Sequence, residues 1–269
     1  MNELSIQIQS VLYCNKDKDS IKRTLLSVSN AIRVAREFYN LKLDVTFVYG
    51  DASPLPVFTD REFGALQELL SNEFTLKYRF FNENTGSARG HNLLSAETDS
   101  QYILIMNPDV KLSTDFFYHI LRPLEDDRVG MVEARQTPIE HSKEYDIDTL
   151  ETKWATTACS LIPRRVFDEL GGFDSDSFFL YCDDVDFSWR VRLDGYKVIY
   201  QPHAIVFHPK ELSVHGKWIA SSAEKYYSCL ASMIIAHKWS NPKLAKSLMR
   251  MFAASADENE KKQPKLLKK

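Results

Sequence analysis

The chain has 269 residues, 44% of them hydrophobic and 26% charged, with a formal net charge of -3. That is enough chain and apolar content for one large α/β domain, or one domain with a small appendage. The charge balance excludes the basic stripe of a nucleic-acid binder, and no apolar run approaches the ~20 residues that span a bilayer.

Met1 to Asn15 lacks the basic region and apolar stretch of a signal peptide. The cysteines, Cys14, Cys159, Cys182 and Cys229, are widely spaced without a CxxC pair, which fits reduced thiols in a cytosolic protein.

The first half alternates strand and helix signals. Leu4 to Tyr13 reads as a strand, and Ser20 to Phe38 as a helix with Ile21, Leu25, Val28, Ile32 and Ala35 on one face. Leu43 to Tyr49 is a second strand, broken by the turn Gly50-Asp51-Ala52-Ser53-Pro54. Asp60 to Leu70 reads as helix and Leu76 to Phe81 as a third strand; Asn84 or Thr85 caps a further helix through Leu93, Leu94 and Ala96. Tyr102 to Met106 is a short buried strand that stops at Asn107-Pro108-Asp109. Strands alternating with helices imply a mainly parallel sheet with right-handed crossovers.

The second half is less regular. Thr137 to Lys153 reads as a loop, Trp154 to Ile162 as a strand, and Arg164 to Leu170 as a short helix ended by Gly171-Gly172. Asp183 to Leu193 is a helix with acidic residues in its first turn and Arg190 and Arg192 in its last, as the helix dipole favours. Lys197 to Gln201 and Ala204 to Phe207 read as two short strands around Pro202, and Lys217 to Trp239 as a long helix. Asp257 to Lys269, polar and lysine-rich with Pro264, is expected to be disordered.

Ligands of an open parallel sheet sit at the carboxyl ends of its strands. Asn15 to Asp17, Gly50 to Ser53, Asn82 to Gly90 and Asn107 to Asp109 all fall there. Pro108 stiffens its turn, and Asp109 at the sheet edge can bind a hard divalent cation or act as a turn-stabilising cap. The sheet reading lets His208 approach Asp109. In Asp183-Asp184-Val185-Asp186, Asp183 and Asp186 share a helix face, Asp186 can pair with Arg190, and Asp184 points elsewhere. Crowded carboxylates beside the apolar run Phe178-Phe179-Leu180-Tyr181 repel one another and lose hydration, which raises a pKa toward general-base use. There is no GxGxxG, Walker loop or Ser-His-Asp set.

From about Ser5 to Trp239 the chain resembles the family 2 glycosyltransferases of GT-A fold, in their bacterial rhamnosyltransferase-like branch. The most specific stretch is Gly171-Gly172-Phe173-Asp174 followed by Phe178-Phe179-Leu180-Tyr181-Cys182-Asp183-Asp184-Val185-Asp186-Phe187-Ser188-Trp189-Arg190. It continues through Gly195-Tyr196, Tyr200-Gln201-Pro202-His203-Ala204 and His208. Asn84 to Asn92 and Leu104 to Asp109 support it. The resemblance implies a Rossmann-like, mostly parallel sheet flanked by helices, with a GT-A domain over 1–240 and a C-terminal helical extension with a disordered lysine-rich tail over 241–269.

It also implies roles. Asp51 sits against the nucleotide base, Arg89 and Asn92 contact the donor, and Asn107-Pro108-Asp109 replaces the family's DxD motif. Asp109 and His208 hold Mn²⁺ or Mg²⁺, Asp184 is the catalytic base, and Asp183 touches the acceptor. Trp154 and Tyr181 offer rings for sugar stacking. The chain departs from the family pattern in Gly50-Asp51-Ala52-Ser53, where many relatives have Asp-Asn or Asp-Asp before the Ser, and at Asn107, the first position of the DxD motif, where Asn is common in the rhamnosyltransferase-like branch. The implied reaction is inverting transfer of rhamnose or another hexose from a dTDP-, UDP- or GDP-linked donor to a glycan or polyprenyl-linked acceptor. The implied place is the cytoplasm, peripheral at the inner face of the membrane. Two other readings stay open: a catalytically silent sugar-nucleotide or glycan-binding module of a larger polysaccharide-assembly protein, and a nucleotidyltransferase or dehydrogenase on a similar core.

Overall fold

The structure, a computed structural model, describes residues 3–210, 214–215 and 219–266, with 265 and 266 by backbone alone. An eight-stranded sheet runs in the order β3-β2-β1-β4-β7-β6-β8-β5. Here β1 is Leu4–Leu12, β2 Leu43–Asp51, β3 Thr75–Phe80, β4 Tyr102–Met106, β5 Lys111–Leu112, β6 Val129–Thr137, β7 Cys159–Pro163 and β8 Lys197–Phe207. The block β3-β2-β1-β4 is parallel, as is the β6–β8 pair. β7 runs antiparallel to both β4 and β6 and so joins the two blocks, and β5 is antiparallel to β8.

Both faces of this sheet are covered, and β4 shows why its sequence is a continuous apolar run rather than an alternation. Leu104 and Met106 enter the larger core, under α1 (Lys18–Phe38), α2 (Asp60–Leu70) and α4 (Phe116–Leu121). Ile103 and Ile105 enter the second core, under α3 (Gly86–Ser95), α5 (Arg164–Glu169) and α6 (Asp183–Leu193). The α1 helix starts where Asp17 accepts from the Ser20 N–H at 2.8 Å, and it buries Ile21, Leu25, Val28, Ile32 and Ala35. α7 (Ser222–Lys238), α8 (Pro242–Ala253) and α9 (Glu258–Leu266) follow the sheet, with Cys229, Met233 and Phe252 forming a small core among them.

Several expectations are corrected. The two strands around Pro202 are one strand, β8, whose register against β6 shifts between Ala134 and Arg135. A bulge of this kind accommodates a residue that has no N–H to donate. The strand expected over Trp154 to Ile162 starts only at Cys159, because Ala155 N–H is taken by the Ser188 hydroxyl rather than by a neighbouring strand. The helix expected from Lys217, a residue outside those described, starts at Ser222, where the Ser221 hydroxyl caps it by accepting from Glu224 N–H at 3.1 Å. The tail expected to be disordered carries α9 in its described part, and 267–269 lie outside the described residues. The described part is held by the Lys225–Asp257 ion pair at 3.0 Å and by the fully buried Gln263, with Pro264 inside the helix. β6 and α4 were not anticipated at all.

Candidate active site

The carboxyl ends of β1, β2 and β4 gather the first group of expected residues. Asp51 closes β2, fully buried. Its carboxylate accepts from Ser53 N–H at 2.9 Å, from Val57 N–H at 2.7 Å and from the Tyr78 hydroxyl. Burial and this carboxylate push the Tyr78 phenol well up. Asp51 therefore shapes the 52–57 loop from beneath, rather than presenting a free carboxylate at the surface. Ser53, itself buried, accepts from Cys14 N–H at 2.7 Å and ties the loop to the end of β1.

Asn107, Asp109 and His208 come together. Asn107 follows β4, and its N–H donates to Ala158 carbonyl at 2.9 Å. His208 follows β8, is 5% exposed, and anchors its own N–H on Thr137 carbonyl at 2.9 Å. The imidazole Nδ1 lies 2.8 Å from Gln136 Oε1, so it carries the proton and donates. The lone pair of Nε2 then faces Asn107 Nδ2 at 3.3 Å and Asp109 Oδ1 at 3.7 Å. Burial pulls the His208 pKa down to about 3, with Lys210, His141 and Lys111 adding to the effect, so the ring is neutral at neutral pH. Burial raises the Asp109 carboxyl, opposed by its backbone and by Lys210 and Lys111. A carboxylate oxygen and a neutral, oriented imidazole at this spacing can share one divalent ion whose other ligands are phosphate and water. No group of three or more His, Cys, Asp or Glu at metal-binding spacing occurs among the described residues. The pair thus fits an ion that the substrate helps to hold, not a closed metal site.

The second group sits on the turn into α6. Tyr181 and Cys182 have φ of 67° and 57°, left-handed conformations that cost energy for residues other than glycine. The turn is pinned from outside: Ser87 N–H donates to the Phe179 carbonyl at 2.9 Å, and a Cβ on Gly86, whose φ is 66°, would overlap that carbonyl. This approach places Asp183 and Asp184 on the first turn of α6. Asp183 is 3% exposed and its Oδ2 has no hydrogen-bond partner. Asp184 is half-buried, accepts from Val185 N–H at 2.8 Å, and has its backbone carbonyl held by the Ser188 hydroxyl at 2.7 Å. Burial raises both carboxyls, and the Asp184 charge raises Asp183 further. The hydrogen bonds to Asp184 and the Lys143 ammonium hold its rise back. Asp186 points inward to Arg190 Nε at 3.0 Å, the ion pair its spacing predicts.

The remaining expected residues divide. Trp154 is half-buried, with the Lys143 ammonium 4.0 Å from its ring centroid and the His141 ring 6.0 Å away. Tyr181 is half-buried, its phenol pushed up to about 12 by burial and by the Glu224 and Asp183 charges. Arg89 is exposed and paired with Glu83 at 2.7 Å. The Asn92 side chain brackets the backbone of Phe173, donating to its carbonyl at 2.8 Å and accepting from its N–H at 2.9 Å.

Glu133, Gln136, His141 and Lys143 were missed. Glu133 and Gln136 lie on β6, the unanticipated strand; an acidic residue within an apolar strand is the signal that would have found Glu133. His141 and Lys143 lie in a polar connection that gave no such signal.

No family model matches the chain. A stretch of 57 residues is 39% identical to the N-acetylglucosaminyl-diphospho-decaprenol L-rhamnosyltransferase of Mycobacterium tuberculosis, covering 21% of this chain and only 18% of that protein. The fold is similar to the mannosyltransferase PcManGT from Pyrobaculum calidifontis, solved with GDP-Man and Mn²⁺, with a TM-score of 0.63 and 16% identity over 99% of this chain and 79% of that one. It is also similar to GalNAc-T7, solved with UDP, GalNAc and Mn²⁺, with a TM-score of 0.68 and 14% identity over 98% of this chain and 54% of that one. The chain has the GT-A glycosyltransferase fold, and in sequence it resembles the rhamnosyltransferase-like branch of glycosyltransferase family 2.

Proposed function

We propose that the protein transfers rhamnose or another hexose from a nucleotide-diphosphate donor to a hydroxyl of a cell-surface glycan or lipid-linked acceptor, inverting the anomeric carbon. One observation carries the reading: the Ala155–Ala158 segment bonds both halves of the site. Ala155 N–H donates to the Ser188 hydroxyl, which donates to the Asp184 carbonyl, and Ala158 carbonyl accepts from Asn107 N–H. A proton acceptor and an ion-binding pair are thereby fixed across one short piece of backbone, as a displacement at the anomeric carbon requires.

A Mn²⁺ or Mg²⁺ ion held by Asp109 and His208 would offset the charge of the departing nucleoside diphosphate. Asp184 accepts the proton of the acceptor hydroxyl as that oxygen bonds to the anomeric carbon, on the face opposite the breaking bond. Its raised proton affinity suits it to that task. Asp183, with an oxygen lacking a partner, accepts a hydrogen bond from the acceptor and orients it. Trp154 and Tyr181 flank the acceptor, Asp51 shapes the loop for the base, Arg89 meets the donor, and Asn107 and Asn92 position the residues around it.

The relatives solved with GDP-Man or UDP and Mn²⁺ support the donor and ion class. The lipid-linked name of the mycobacterial relative supports the acceptor class. We assign 1–240 to the catalytic domain and 241–269 to a C-terminal extension, and place the protein in the cytoplasm at the inner membrane face, serving a surface polysaccharide such as an O-antigen. No helix among the described residues is long and apolar enough to cross a membrane. On α8, Leu244 and Met251 are exposed beside Lys243, Lys246 and Arg250, a surface suited to peripheral contact.

The test is a thermal-shift panel of dTDP, UDP and GDP with and without Mn²⁺, followed by a transfer assay with the responding donor. Metal-dependent stabilisation by one nucleotide is expected, with loss of transfer in Asp184→Asn. Binding without turnover of any acceptor would favour the silent module, and a folded Asp184→Asn with near-normal turnover would overturn the assignment of the base.

A further inference from the structure

Beside the base lies a buried ion pair that the strand-end motifs do not explain. Glu133, in β6, has its side chain 2% exposed, and Lys143 reaches it from the 138–158 connection with its side chain 5% exposed. The ammonium donates to the Glu133 carboxylate and to the Trp154 carbonyl at 3.3 Å, and it caps the Trp154 ring at 4.0 Å. Such a pair is weak evidence for stability, because desolvation offsets most of its attraction.

Its position relative to Asp184 supplies another reason. The Ser188 hydroxyl accepts from Ala155 N–H at 3.0 Å and donates to the Asp184 carbonyl at 2.7 Å, so the segment that Lys143 grips through Trp154 is tied to the turn that carries Asp184. Burial raises both carboxyls, Glu133 to about 7; the Lys143 ammonium opposes the rise at each, and the Asp184 charge adds to it at Glu133. The ammonium thus pairs with Glu133 and acts on Asp184 from beside it. The groups on its own turn that face Asp184 are acidic or neutral, Asp183 and Cys182, and Asp186 is offset by Arg190 and Lys238.

We propose that Lys143 is a positioning residue for the transfer: held by Glu133, its ammonium keeps Asp184 in the proton-accepting form, and its contact with Trp154 fixes the ring that faces the acceptor. The inference rests on the reading of Asp184 as base. Lys143 touches no reacting atom; it acts through Asp184 and Trp154.

The experiment measures the pH profile of kcat/KM for the full chain, using the donor and acceptor identified by the transfer assay. Without the ammonium the ionised base is less favoured, so Lys143→Met moves the acidic limb up by roughly one pH unit, and it raises the acceptor KM. Glu133→Gln removes a competing negative charge and moves the limb down. Lys143→Arg keeps the charge and restores the limb toward wild type. Opposite movement of the limb in Lys143→Met and Glu133→Gln supports the proposal. A uniform loss of rate with the limb unmoved in both variants overturns it, leaving the pair a packing feature. If Lys143→Met does not fold, Glu133→Gln and Lys143→Arg decide the question alone. The base reading fails separately: it falls if Asp184→Asn stays active, whereas an inactive Asp184→Asn with unmoved limbs removes only the role of Lys143.

Discussion

Lys238, at the end of α7, reaches the fully buried carboxylate of Asp186 at 2.7 Å and so ties the C-terminal helices to the helix that carries the proposed base. Trp239 adds an indole N–H to the same oxygen at 3.0 Å, and Arg190 holds the other oxygen. Lys238 also pairs with Asp174 at 2.6 Å, ahead of the strained Tyr181–Cys182 turn. Asp186 is thus a structural hub, two residues from a carboxylate proposed for chemistry.

Removing that hub leaves two cations and an indole N–H facing a vacated interior. Asp186→Ala is expected to destabilise the protein by about 3 kcal/mol, the usual consequence of breaking a buried pair from one side. Urea denaturation measures it. A loss under about 1 kcal/mol would mean that Arg190 relies on its bonds to the Leu170 and Gly172 carbonyls instead.

The hub's own role was partly visible in the sequence, since Asp186 and Arg190 stand one helical turn apart. Lys238 and Trp239 were not, because a partner more than fifty positions away leaves no local pattern. The same division holds across the molecule. β1, α1, β4 and the Asn107-Pro108-Asp109 turn were legible, because apolar periodicity and a turn residue report local conformation. β8 was split in two because Pro202 reads as a breaker unless the bulge against β6 is known. β6 was overlooked, and with it Glu133, so the charge beside Asp184 stayed hidden. Asn92 carried a motif, yet its amide is engaged by Phe173, a contact only the tertiary fold creates.

Asn92 therefore offers a discriminating substitution. Asn92→Ala removes two hydrogen bonds to the Phe173 backbone and opens space beside Gly172, whose added Cβ would otherwise crowd the Asn92 oxygen. A loss of about 1–2 kcal/mol in stability is expected, with the donor KM changed less than threefold. A large rise in donor KM with stability intact would instead give Asn92 direct contact with the nucleotide sugar.

At the pair proposed to hold the ion, Asp109→Ala is expected to abolish the Mn²⁺-dependent part of the nucleotide thermal shift and to leave the apo melting temperature nearly unchanged, since Asp109 is partly exposed. His208→Ala should weaken the same response while lowering stability, because it also breaks the bond to Gln136. Chelator treatment of the wild type should reproduce the Asp109→Ala response. A metal-dependent shift that survives both substitutions would place the ion elsewhere.

Asp183 links function to stability with a definite sign. Its carboxyl is raised by burial and by Asp184, so the folded protein holds that proton more tightly than the unfolded chain, whose aspartates titrate near 3.9. The favourable contribution is complete below that value and is lost as pH rises through the raised folded pKa. Near pH 8 the folded state contains a charged carboxylate with an unpartnered oxygen. Asp183→Asn, similar in shape and uncharged, is expected to gain about 1–3 kcal/mol at pH 8 and little at pH 5, while transfer activity falls. Thermal denaturation of both proteins across that range tests it. A stability difference that stays constant with pH would show that Asp183 does not titrate there, and that its orphaned oxygen is satisfied in solution.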